Sequence, residues 1–175
     1  MDLRIQRTKA SIRSAFLELR QDKPIEKITV KELCVLAGIN KATFYLHYSD
    51  IYSLADEIEY SLIDDLILSV DKDFSEDPKG YTDALFQAFM ESRGRLAAVF
   101  SGSRNSLFAA KIEQRIKAKL YESNPDFCTP RNDTTISFLI QGMFHTVAAC
   151  DDDEVDEKFM VISQLAELIV DRLEH

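Results

Sequence analysis

The 175 residues include 46% hydrophobic side chains, which suits one or two compact globular units and excludes a wholly disordered chain. Five glycines and four prolines are too few for the turns of an all-β protein, so we expect a mostly helical fold. The net charge of −9 is unevenly distributed, because residues 1–50 hold nine basic and six acidic side chains while the other 125 hold 12 and 24. Only the N-terminal section is therefore suited to a phosphate backbone.

An amphipathic first helix is predicted over residues 3–20. The Lys23-Pro24 pair ends it, because proline disfavours helical backbone at the residue before it. The basic side chains of this segment lie mostly away from its apolar face, so the helix has one apolar and one basic side. The apolar positions at helical spacing are Ile5, Ile12, Phe16 and Leu19.

Two short helices joined by a tight turn are predicted next. Thr29 and Glu32 form a capping box that starts the second helix, and Gly38 suits the positive φ that often ends one. Asn40 then caps a third helix over about 41–48. Such a pair is typical of a helix-turn-helix, although an ordinary corner between core helices is the alternative. We expect Phe44 and Tyr48, four residues apart, to point inward and Tyr45 and His47 to face outward. The polar and amphipathic side chains of the third helix favour DNA.

Helices are also predicted along the rest of the chain. Ser49 is the expected cap of a long fourth helix, whose apolar stripe runs to residue 70. The stripes of the last two helices are too apolar to face water, so we expect two copies to pair through them as a four-helix bundle. The count is nine helices and no strand. The helices after the fourth are expected at about 80–92, 93–101, 104–122, 130–150 and 154–174.

Residues 28–54 resemble the DNA-binding signature of the TetR family of transcriptional regulators. The motif is a capped helix, an Ala-Gly-Ile turn at 37–39 and the run Thr-Phe-Tyr-Leu-His-Tyr at 43–48. The resemblance covers about the first 55 residues. It implies an all-α homodimer with an N-terminal helix-turn-helix three-helix domain (1–48) and a C-terminal helical ligand and dimerisation domain (49–175). It also implies repression of a palindromic operator on double-stranded DNA, relieved by an effector.

Seven residues in this region are candidate DNA contacts. Lys41 and Thr43 suit base edges, since a lysine can donate to guanine and a threonine methyl can meet a thymine methyl. Tyr45 can give its hydroxyl to a phosphate, and Thr29 lies at a helix start that favours anions. For Lys31 the alternative is a solvated side chain, and for Asn40 it is a plain helix cap. The remaining candidates, for phosphate contact, are Lys31, Asn40 and His47.

The start of the fourth helix departs from the family pattern. Relatives commonly carry lysines at the positions of Ser49 and Ile51, whereas here neither is charged and Asp50 lies between them. We therefore expect weaker attraction for phosphate at this point, with the helix amides left to hold it. A shallower salt dependence of DNA binding than that of a lysine-bearing relative should follow.

The C-terminal section offers candidates for an effector site. In relatives with an inducer, the helices here enclose a pocket for a small apolar compound, and a packed core is the alternative for most of the phenylalanines. His145 is interpreted as a core or interface histidine rather than a ligand contact. A protein-binding co-regulator of the same fold, without a small-molecule inducer, is the second interpretation. The candidate ligand-binding residues are Phe86, Phe89, Met90 and Phe138.

Catalytic, metal and membrane functions are not expected. The sequence has no nucleotide loop, metal-ligand cluster or nucleophile–base spacing, so we expect neither an enzyme nor a cofactor. Cys34, Cys128 and Cys150 are odd in number and far apart, which indicates reduced thiols in or near the core. The acidic run at 151–154 is interpreted as a solvated helix start. Without an apolar run near the roughly 18 residues that span a bilayer, or a signal peptide, we expect a cytoplasmic protein.

Overall fold

The structure is a computed structural model that describes residues 3–74, 76–100, 102–148, 154–170 and 173. The all-α prediction is confirmed, since these residues form eight α-helices and three single-turn 3₁₀ segments, and no strand. No helix among them has the length and apolarity needed to cross a membrane. The α-helices are α1 (Leu3–Asp22), α2 (Val30–Leu36), α3 (Lys41–Tyr45), α4 (Ile51–Leu68), α5 (Pro78–Val99), α6 (Asn105–Ser123), α7 (Pro130–Ala148) and α8 (Val155–Val170), and the 3₁₀ segments are Ile25–Lys27, Gly102–Arg104 and Pro125–Phe127.

One continuous helix, α5, replaces the two helices predicted at 80–92 and 93–101. Gly94 lies within it at an exposed position, with open space where a Cβ would be. An isolated glycine in a helix costs about 1 kcal/mol relative to alanine. Burial of Leu96 and Val99 in the following turn offsets that cost, so the helix continues through the glycine.

The helices are divided between two compact units. The first consists of Met1–Leu62 with Arg93–Asn105, and the second consists of Ile63–Ser92 with Ser106–His175. The first unit therefore contains all of α1, α2 and α3, the N-terminal part of α4, and a segment that follows more than thirty residues later in the sequence. The boundary predicted at residue 48 falls inside this unit.

An apolar core holds the helices of the first unit together. Ile12 and Phe16 of α1, Leu33 of α2, Phe44 of α3 and Leu54 of α4 are each at most 1% exposed. Burying a side chain of this size contributes about 1.5–3 kcal/mol. Because α3 has only five residues, its position is determined by this packing rather than by its own helix propensity.

The first turns of α1 do not join this core. Ile5 was expected on the apolar face with Ile12, Phe16 and Leu19, but its side chain is exposed. Residues 3–7 are exposed throughout, so the helix extends into solvent before it meets its neighbours. The predicted apolar face of α1 is therefore the correct side of the helix, but its packing against the core begins about two turns later than expected.

The predictions for the cysteines and for the acidic run at 151–154 are met only in part. Cys34 is buried in α2, as expected, and Cys128 is exposed, which corrects its predicted place in or near the core, because it follows a surface 3₁₀ turn. Both are free thiols. Cys150 and the acidic residues 151–153 lie outside the described residues. Glu154, the last of the run, is exposed and pairs with Lys158 at 2.6 Å.

Candidate nucleic-acid interface

Local hydrogen bonds set the start of α2 and the turn after it. The Thr29 hydroxyl accepts a hydrogen bond from the Glu32 backbone amide at 3.2 Å, as the capping prediction requires. The Glu32 carboxylate pairs with Lys23 at 2.5 Å. Gly38 follows the helix with a φ of 67°, a conformation that a side chain would strain. The Thr29 cap and the Gly38 turn are therefore confirmed, whereas the Glu32 carboxylate is directed to Lys23 and does not complete the predicted capping box.

The helix α3 starts where predicted and ends earlier. Asn40 caps it, with its side-chain oxygen accepting from the Thr43 amide at 2.8 Å. The α-helical backbone ends at Tyr45 rather than near Tyr48. The amides of His47 and Tyr48 still bond to the Phe44 carbonyl at 2.9 and 3.0 Å, so the backbone continues as a turn.

The aromatic residues of this segment divide as predicted for Phe44, Tyr45 and Tyr48, while His47, predicted to face outward, is half-buried. Phe44 and Tyr48 are buried, with ring centroids 5.7 Å apart, and Tyr45 between them is exposed. Residues four apart lie on the same side of a helix, which explains the shared inward direction of the first two. The outer face of α3 is consequently fixed relative to the core.

A polar contact braces the end of this segment. Tyr48 donates from its hydroxyl to Glu57 of α4 at 2.8 Å, and Lys9 of α1 contacts the other Glu57 oxygen at 2.7 Å. Burial and the hydrogen bond to Glu57 raise the pKa of Tyr48 above its ordinary value. Burial opposes ionisation of Glu57, but the hydrogen bonds from Lys9 and Tyr48 hold the pKa of Glu57 below its usual range. The segment after α3 is thus held to two other helices.

The seven predicted contact residues lie on one short stretch of the first unit. Five side chains are exposed, while Thr43 and His47 are half-buried. The helix α2 packs against α3, so the two helix starts that carry most of these residues belong to neighbouring elements. Thr29 and Asn40 use their side-chain oxygens as caps. The exposed five are Thr29, Lys31, Asn40, Lys41 and Tyr45.

Two outward residues of this segment were missed. Ala42 is exposed, and Leu46 is 81% exposed, beside the predicted Lys41 and Tyr45. The sequence contained the signal, because an inward Phe44 leaves positions 42 and 46 on the opposite side of the helix.

The start of α4 differs from the prediction. Asp50, not Ser49, is the cap, because its side-chain oxygen accepts from the Ser53 amide at 2.7 Å. The Ser53 hydroxyl in turn accepts from the Asp50 amide at 3.2 Å. An exposed carboxylate therefore occupies the place where we expected helix amides to be left for a phosphate. Its charge repels phosphate, which strengthens the expectation of weak backbone attraction here.

A buried ion cluster lies elsewhere in the first unit. Arg104 donates to the Glu59 carboxylate from Nε at 2.7 Å and from Nη2 at 2.6 Å, and also contacts Asp56. Glu59 is 0% exposed and Arg104 is buried as well. The hydrogen bonds to Glu59 raise the pKa of Arg104 further above its ordinary value, against the effect of burial. Arg20 of α1 donates to the Val99 carbonyl at 3.2 Å. These contacts tie residues 93–105 to α1 and α4.

The second unit contains a small apolar cavity of about 60 Å³. Two of the predicted ligand residues, Phe86 and Phe89, line it, and Met90 packs against the neighbouring cluster of Phe86 and Ile162. The Phe108 and Phe144 rings, with centroids 4.9 Å apart, fill much of the surrounding space. The other lining residues are Leu85, Ile112, Ile116, Ile140 and Met143.

The prediction for Phe138 needs correction. Its side chain is 69% exposed and is not among the residues that line the cavity. Ile140, Met143 and Phe144 on the same helix do line it, and at about 100° per residue Phe138 lies on nearly the opposite side of α7. The apolar pattern of this helix therefore has two faces, of which one is inward.

The last helix also has two apolar faces. The apolar stripe of α8, predicted to pair with a second copy, is partly covered within the single chain, because Ile162 and Ala166 are buried there, while Leu165 of the same stripe is exposed. We call the exposed set the α8 outer face. At about 100° per residue its members fall within an arc of about 140°. Each is at least 50% exposed, and they are Met160, Val161, Leu165 and Leu168.

Comparison of the chain with family models, curated proteins and solved structures finds no match in any of the three.

Proposed function

We propose that the protein is a cytoplasmic, homodimeric transcriptional regulator of the TetR type, which represses a palindromic operator. The observation that carries this proposal is the outer face of α3. It offers Lys41 and Tyr45 to solvent while Phe44 and Tyr48 anchor the same segment in the core. A rigidly held short helix with outward donors is what major-groove recognition needs. In this proposal α2, the turn and α3 form a helix-turn-helix.

The uneven distribution of charge along the chain also supports DNA as the partner. Residues 1–50 carry more basic than acidic side chains, in a chain whose net charge is −9. Lys31 and Lys41, both exposed, lie on the two helices of the proposed motif. Attraction to the phosphate backbone therefore concentrates where base contacts are proposed, and the acidic remainder disfavours other orientations on DNA.

The exposed apolar side chains of α7 and α8 support a dimer. Phe138 and the α8 outer face leave large apolar side chains in water in one copy of the chain. A second copy covers such a surface by two-fold symmetry, since the same patch then serves both partners. Dimerisation places two α3 helices about 34–36 Å apart, or somewhat more, which requires a palindromic target.

The size of the cavity favours a second candidate function. Sites for drug-sized ligands enclose roughly 300–1,000 Å³, whereas the cavity beside Phe89 has about 60 Å³. A cavity of this size has no room for a large inducer. It therefore favours a co-regulator that responds to a protein partner. Thermal unfolding in the presence of small apolar compounds tests for an inducer, because a compound that binds the folded protein raises the midpoint.

Selection of duplex DNA from a random pool tests the main proposal. At low ionic strength the wild type is expected to enrich a two-fold symmetric consensus. Lys41→Ala should relax one position in each half-site, because a lost base contact costs about 1–3 kcal/mol of discrimination. Lys119→Ala, which changes an exposed lysine of α6, is the control and should keep the consensus. Failure to enrich any duplex contradicts DNA binding, and an unchanged consensus contradicts the role of Lys41.

Substitutions at the proposed phosphate contacts should act differently. Tyr45→Phe and Thr29→Ala are expected to weaken binding to all sequences by a similar factor, because phosphate contacts carry no direct sequence information. Thr29→Ala also removes a helix cap and should lower the free energy of unfolding by about 1 kcal/mol. Thr29→Ser keeps the cap and serves as its control. Affinities for consensus and scrambled duplexes provide the measurement, and a change in sequence preference would reverse the assignment.

A further inference from the structure

The outward side of the α3 segment includes two apolar residues, Ala42 and Leu46, to which the proposed function assigns no role. Leu46 is the most exposed of the large apolar side chains that the structure describes, at 81%. Ala42 lies four residues before it, one turn away on the same side, and is exposed as well. At about 100° per residue, Lys41 lies about 140° from Leu46, with Tyr45 between it and the Ala42–Leu46 pair. The segment therefore presents methyl groups at the centre of its outward side and one cation towards its edge.

A partner surface that matches this face must combine apolar groups with negative charge. The major groove of DNA does so, because the C5-methyl group of thymine projects into it between two phosphate backbones. Single exposed leucines are common on protein surfaces. What distinguishes Leu46 is its place directly after α3, on the side opposite the buried Phe44, with the small Ala42 leaving room for close approach of the helix.

Thr43, the residue predicted to meet a thymine methyl group, is less well placed for that contact than Leu46. Thr43 is half-buried, and its backbone amide is taken by the Asn40 cap at 2.8 Å. At about 100° per residue, Thr43 lies between the outward side of Leu46 and the inward side of Phe44. Of the two methyl-bearing side chains, Leu46 is the better placed to reach a base.

Resting on the proposed function, we propose that Leu46 reads thymine through contact of its methyl groups with the thymine C5-methyl. Each operator half-site then contains a thymine that is specified by its methyl group. Leu46 is in this sense a specificity-determining residue, and Lys41 supplies a separate polar contact in the same half-site.

Replacing thymine by deoxyuridine tests this contact, since the exchange removes the methyl group and keeps the base pair. Each thymine of the selected consensus is replaced in turn, in both half-sites together. At one position the wild type should lose about fourfold in affinity per half-site, as expected for exposing one methyl-sized group. Replacements elsewhere should have smaller effects.

Leu46→Ala completes a double-mutant cycle with the same duplexes. Because Leu46 is exposed and alanine favours helix, the variant should fold as the wild type does. It should bind the thymine operator less tightly and bind thymine and deoxyuridine operators equally well. Leu68→Ala, at a 74% exposed leucine of α4, is the matched control and should keep the wild-type preference.

The outcomes separate this inference from the proposed function. If the wild type binds its consensus but tolerates deoxyuridine at every position, or if Leu46→Ala retains the thymine preference, the methyl contact is refuted and DNA binding stands. If no duplex is bound at low ionic strength, the proposed function itself fails.

Discussion

Arg104→Met should lower the free energy of unfolding by about 3–5 kcal/mol, the usual cost of removing one partner from a buried ion pair. Arg104 provides two hydrogen bonds to Glu59, whose side chain is 0% exposed. Methionine fills similar space but leaves this carboxylate without those bonds in a site from which water is excluded. Urea denaturation followed by circular dichroism measures the change.

Two further variants show whether the loss comes from the buried charge. Arg104→Met combined with Glu59→Leu should recover most of the stability, because an apolar pair of similar volume is often as stable as a buried ion pair. Arg115→Met, which removes the more exposed pair between Arg115 and Asp64, should cost about 1 kcal/mol or less. Equal losses from Arg104→Met and Arg115→Met would contradict this account.

The cluster matters to the proposed function because of where it lies. Residues 93–105 belong to the same compact unit as α3, and Arg104 holds them to α4. The N-terminal part of α4 in turn carries Glu57, which bonds to Tyr48 at the end of the α3 segment. A loss of Arg104 should therefore also loosen the element that presents Lys41.

Features set by neighbouring residues could be predicted from the sequence. The Thr29 cap, the Gly38 turn and the Asn40 cap involve residues three or four positions apart, and the structure confirms each. The inward direction of Phe44 and Tyr48 followed from their spacing alone. Such local rules were sufficient for most of the candidate interface.

Features that depend on packing could not be predicted in the same way. Arg104 and Glu59 are 45 residues apart, and no periodicity connects them. A helical pattern shows which residues are apolar but not which of two apolar faces is buried, so Phe138 was placed in a pocket. Ser49 and Asp50 are both good caps, and only the backbone geometry chooses between them.

A Leu165→Glu, Leu168→Glu double variant should convert the proposed dimer into a monomer. Both side chains belong to the α8 outer face and are at least half exposed in the single chain, so the substitutions leave its core intact. A two-fold interface repeats each new carboxylate, which places four negative charges in an apolar contact. Burying such charges without partners costs several kcal/mol. Sedimentation equilibrium at micromolar concentration should show one protomer for the variant and two for the wild type.

The same variant should separate half-site recognition from pairing. Its affinity for a single half-site should equal that of the wild type, because α3 is unchanged. Its affinity for the palindrome should fall about 100-fold or more, since linked sites gain roughly 10²–10⁴ in avidity. Leu68→Glu makes the same chemical change at an exposed leucine of α4 and should remain a dimer with wild-type affinity. A monomeric wild type, or a double variant that still pairs, would show that the α8 outer face has another occupant, and the palindromic target would lose its physical basis.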